Sequence, residues 1–97
     1  MKLSDKPAAN PIVVLREEFD DWAVLFNPDT AGAVGINPVG VTVWKLMNGE
    51  RDLKEITSHV KEEFYDVPET VDEEVTDFVR NLAESGFVGY ELKEFNK

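Results

Sequence analysis

His59 is the only histidine in the chain, and Ser58 precedes it directly. Side chains of adjacent residues diverge on a helix, so these two cannot form a nucleophile–base pair by themselves. A catalytic role would require a remote serine and an orienting acid, and the sequence identifies neither. The acids Asp72, Glu73, Glu74 and Asp77 are the next group with chemical potential. They lack the Asp-x-Asp-x-Asp-Gly spacing of a calcium loop, and their stride fits the solvated outer face of a helix. Glu17-Glu18 and Asp20-Asp21 have no visible partner for acid–base work. Cysteine is absent, which excludes disulfides, thiolate zinc sites and cysteine nucleophiles. No constellation for catalysis, for a metal or for a cofactor emerges, and the chain is expected not to be an enzyme.

Gly32, Gly35 and Gly40 punctuate "GAVGINPVG", a segment that matches neither a phosphate loop nor a dinucleotide fingerprint. Gly35 inside a strand has two readings: close backbone approach by another chain, or a bulge or packing glycine. Trp22, Phe26 and Trp44 could suggest a platform for stacking bases. Two of them alternate along a strand and the third lies on a helix, so core packing is expected.

Ten basic against twenty acidic residues leave a net charge of −10. Residues 69–97 carry only Arg80, Lys93 and Lys97 against eight acids. Such a chain meets phosphate against a repulsive field, which disfavours nucleic acid as a partner. The start, "MKLSDKPAAN", lacks the apolar block of a secretory signal, and no run approaches the roughly 18 apolar residues that span a bilayer. No membrane partner is expected, and a cytoplasmic location is.

These residues need elements to position them. At 97 residues the chain fits one domain burying roughly 60–65% of its unfolded surface. Residues 1–10 read as a loose arm. "IVVLREEF" places Ile12, Val14 and Arg16 on one face and Val13, Leu15 and Glu17 on the other. After the Asp20-Asp21 turn, "WAVLFN" alternates Trp22, Val24 and Phe26 against Ala23, Leu25 and Asn27. "NPDTAG" is a turn in which Gly32 would accept positive φ, and Ala33 to Ile36 form a third strand. The period then changes from 2 to about 3.6. Asn37 and Pro38 supply the N-cap and first position of one helix, which Gly49 ends. Asp52 with Glu55, and Thr70 with Glu73, have capping-box spacing and start two more. The third shows Val71, Val75, Phe78, Val79 and Leu82, then stops at Ser85-Gly86; "FVGYEL" beyond it suits a short strand or an extended tail. Three strands followed by three helices make an α+β pattern.

The segment "INPVGVTVWKLMNGERDLKEI", with an acidic last helix ending "NLAESGFV", resembles the PqqD family of small peptide-chaperone domains. The matching features are Asn37-Pro38, Trp44, Leu46, Gly49-Glu50-Arg51, Leu53 and Glu55-Ile56, within a likeness that covers roughly residues 12–90. The resemblance implies a winged-helix-like domain that binds the leader of a ribosomally synthesised precursor peptide as an added strand. Its groove would lie between the third strand and the third helix, and its partner would be a modifying enzyme, often a radical S-adenosylmethionine enzyme. The long start, "VLREEFDDWAVLFNPDTA", departs from members of the quinone pathway and implies another peptide system, of the SynChlorMet type. On this likeness, Val34, Gly35 and Ile36 are expected to form the peptide-pairing edge. Val75, Phe78, Val79 and Leu82 are expected to serve the groove wall and core together. An exposed sheet edge is normally an aggregation hazard, but it becomes a receptor when an extended peptide pairs with it. The competing reading is a winged-helix DNA-binding regulator. Its recognition helix would carry five acids and one base, a poor match for phosphate.

Overall fold

A computed structural model describes residues 2–89. Its elements run β1 (Ala8–Ala9), β2 (Val14–Glu17), β3 (Ala23–Asn27), β4 (Gly32–Ile36), α1 (Pro38–Leu46), α2 (Leu53–Glu63), α3 (Val71–Glu84) and β5 (Val88–Gly89). β2, β3 and β4 form an antiparallel meander with β3 central, and the three helices follow it. This is the expected α+β, winged-helix-like arrangement.

The hairpins turn where their backbones can take positive φ. Asp20 and Asp21 both do so between β2 and β3, the pattern of a type I′ turn, whose twist suits paired strands. Between β3 and β4 it is Ala31, not Gly32, that takes the left-handed conformation, at φ 59°. Register is continuous through Gly35, which pairs with Val24, so no bulge occurs there.

The sheet is covered on one face only. Leu15, Leu25 and Val34 form an inward row, and Ala23 pairs with Ile36 beside it. These pack with Val43, Leu53, Ile56, Val60, Val75 and Val79 from the helices. Outward rows run Val14–Phe26–Ala33 and Arg16–Val24–Gly35. Trp22 and Phe26 therefore lie on the solvated side, 51% and 41% exposed, contrary to the expectation that they pack in the core. β3 is apolar on both faces, so its alternation could not say which face the helices cover. Trp44 is in the core as expected.

The helix starts follow their caps. Asn37 accepts the Gly40 N–H at 2.8 Å with Pro38 at the first helical position. Asp52 and Glu55 form the reciprocal capping box. At α3 the box does not form: Thr70 is not extended, and its hydroxyl instead donates to the Glu74 carboxylate. α3 ends in a Schellman motif, with Gly86 at positive φ and the Phe87 N–H donating to the Leu82 carbonyl. α1 ends at Leu46, before Gly49.

The N-terminal arm is not loose over its described residues. Carbonyls of Leu3 and Asp5 accept the N–H groups of Lys54 and Leu53, donors that a helix cannot satisfy internally. Pro7 is fully buried, its carbonyl accepts from Gly49, and Ala8–Ala9 pair with β5. Of "FVGYEL", Val88 and Gly89 form β5, and residues 90–92 lie outside the described ones.

Candidate functional site

β4 pairs with β3 along one side; along the other it has no strand among the described residues. Two phenylalanines bracket that strand at its ends. A methyl group placed on Gly32 would lie 3.8 Å from the Phe87 ring, at one end of β4. At the other end, one placed on Gly40 would lie 3.1 Å from both the Phe78 ring and the Ile36 Cβ. Gly40 thus lets the first turn of α1 sit against Phe78, a contact that no larger residue permits without displacing one of them.

Asn27 holds the base of this arrangement. It is 2% exposed at the end of β3, and its amide donates to the Gly86 carbonyl while its oxygen accepts the Asp29 N–H. Asn10 donates to the same Gly86 carbonyl. A buried amide with its partners satisfied in this way fixes the α3 terminus relative to the sheet.

Beyond Ile36 the space between helices opens into a cleft of 190 Å³. Val39, Gly40 and Val43 of α1, Val67 and Pro68 of the α2–α3 connection, and Val71, Val75 and Phe78 of α3 give it apolar walls. Asn37 and Glu74 are its polar members.

The seven residues expected from sequence divide by burial. Ile36, Val75, Val79 and Leu82 are core, Val79 being wholly inaccessible. Val34 is half-buried on the inward face. Phe78 is half-buried and stands beside the cleft, with Val75 in the wall behind it. Gly35 is exposed, with nothing within 4 Å of where its Cβ would be, and faces solvent on the outer side of the sheet. The sequence reading missed Gly40, Asn37, Glu74 and the Val67-Pro68 wall. Only the Asn-Pro cap signalled that a helix start would lie there.

Ser58 and His59 are exposed on α2. No group of three or more His, Cys, Asp or Glu side chains able to hold a metal occurs among the described residues. Nor is any described helix long and apolar enough to cross a membrane.

A profile of the family coenzyme PQQ synthesis protein D (PqqD) matches residues 23–88. The chain belongs to the PqqD family. That match spans β3 to β5, the part that builds the strand, the phenylalanine bracket and the cleft. Among solved structures, TbiB1 in complex with the TbiA(beta) leader peptide superposes on this PqqD-family chain with a TM-score of 0.70 at 28% identity. The match covers 87% of this chain and 98% of that one. The heterocyclase TruD matches with a TM-score of 0.61 at 15% identity, over 90% of this chain but 12% of its own. A heterocyclase in complex with substrate and cofactor matches at 18% identity and TM-score 0.61, over 11% of its length. The two heterocyclases share the fold with this chain. No curated protein matches it.

Proposed function

We propose that this PqqD-family domain is a non-catalytic recognition element for the leader of a ribosomally synthesised precursor peptide. The leader adds as a strand to the free side of β4 and lays side chains against α3, and the domain presents it to a modifying enzyme. The observation that carries this reading is the side of β4 left unpaired among the described residues, with Phe78 near the strand's Ile36 end, in a fold shared with a leader-bound relative. Strand addition draws affinity from main-chain hydrogen bonds and specificity from pockets for alternate side chains. It needs no cofactor. Ordering a flexible peptide consumes part of the interaction energy, so a net of roughly −7 to −9 kcal/mol, high-nanomolar to micromolar, is expected. The modifying enzyme we favour is a radical S-adenosylmethionine enzyme, as the PqqD membership suggests.

Titrating isotope-labelled protein with the leader region of a precursor encoded beside it tests the site. Amide shifts should concentrate on residues 33–36 and on α3 around Phe78. Shifts confined to β2, or to the exposed side of α2, would move the site elsewhere.

A further inference from the structure

The cleft next to Phe78 has a feature that strand addition alone does not use. Its walls are apolar, and its 190 Å³ exceeds the roughly 150 Å³ of an engineered cavity that accepts benzene. One large aliphatic or aromatic side chain fits. Of the acids Asp72, Glu73, Glu74 and Asp77 of α3, two are engaged: Asp72 pairs with Lys61 at 3.4 Å, and Asp77 pairs with Arg80. Glu74 is the acid that lines the cleft, and no cation pairs with it among the described residues. Its carboxylate is nonetheless oriented, because the Thr70 hydroxyl donates to one oxygen at 2.7 Å. The other oxygen has no partner among the described side chains.

From this pairing of an apolar cleft with a held, uncompensated carboxylate, we infer that the domain selects leaders by a two-part signal. This rests on the peptide-binding reading. A large apolar side chain enters the cleft, and a lysine or arginine within two residues of it pairs with Glu74. In an extended peptide, residues two apart project to the same side, about 6.6 Å from one another. An anchor in the cleft therefore brings a neighbouring cation to its mouth. Thr70 is a positioning residue: it fixes the carboxylate before the peptide arrives. The net charge of −10 works in the same direction, since it draws cationic peptides toward the domain and repels acidic ones.

The experiment uses a display library of random extended peptides panned on the full 97-residue chain. Selected peptides should carry Lys or Arg within two residues of a large apolar position. A selected peptide should then bind wild-type protein about two- to fivefold more tightly than the same peptide with glutamine in place of the cation, the scale of a partly exposed ion pair. Glu74→Gln should erase that preference while keeping an acceptor for Thr70. Glu74→Lys should reverse it, favouring a glutamate-bearing peptide. Peptides selected without a cation, or a preference that persists in both variants, overturn the inference and leave strand addition standing. A library from which nothing binds overturns the peptide-binding reading itself.

Discussion

Phe78 and Val79 are neighbours in the chain with opposite duties. The helical stride turns Val79 into the core, where none of it is accessible, and leaves Phe78 half-buried beside Gly40 and the cleft. Val79→Ala should cost about 2 kcal/mol of stability, for two buried methyl equivalents and the void they leave, and should change leader affinity by less than about twofold. Phe78→Ala should show the reverse weighting: a smaller loss in chemical denaturation and a weakening of leader binding of about tenfold or more. Calorimetry beside denaturant melts separates the two; equal effects at both positions would return Val79 to the groove wall. The apolar stripe of α3 was legible in the sequence because a period near 3.6 marks a buried side. Its division into core and cleft was not, since that depends on where α1 lies. Similarly, Trp22 and Phe26 alternate correctly but point to solvent, because two apolar faces on β3 leave the choice to the helices.

Between elements, backbone contacts matter most where side chains carry no signal. The three strands, the three helices and all three helix starts followed from alternation, stride and cap residues, although the capping box formed only at α2. The arm did not, because its ordering comes from carbonyls of Leu3, Asp5 and Pro7 meeting N–H groups of Lys54, Leu53 and Gly49. Any sequence offers such groups. With the capping box, these bonds satisfy the first donors of α2 completely: Asp52 and Glu55 cover one another's N–H, and the arm covers Leu53 and Lys54. Deleting residues 2–9 removes these bonds, the β1–β5 pairing and the burial of Pro7. At about 1 kcal/mol for each lost bond, the deletion should destabilise the domain by about 3–5 kcal/mol in denaturant unfolding. A true loose arm would cost almost nothing. The effect on leader binding at matched folded fraction should be slight, because the arm packs at the α2 start and β5, away from the cleft.

At the scale of the whole molecule, the charge of −10 and the groove act over different ranges. The proposed leader contact is mainly backbone and apolar, with one ion pair at Glu74. The backbone and apolar contacts lose little to dissolved salt, and only the exposed pair at Glu74 is screened by it. Presentation, however, requires the domain to meet its modifying enzyme, which converts the peptide's second encounter into an effectively intramolecular one. A basic patch on that enzyme would steer the acidic domain to it, and steering between exposed charges fades as the Debye length contracts from about 10 Å at 0.1 M to about 3 Å at 1 M salt. Between about 0.05 and 0.5 M salt, leader affinity should therefore fall by no more than about threefold. Association with the enzyme should fall by about tenfold or more, chiefly through a slower on-rate. Parallel measurements of both affinities across that range, with on-rates for the enzyme contact, test the separation. An enzyme contact indifferent to salt would remove charge as its docking principle. The exposed apolar side of the sheet around Val14, Trp22 and Phe26 would then be the surface to examine by substitution.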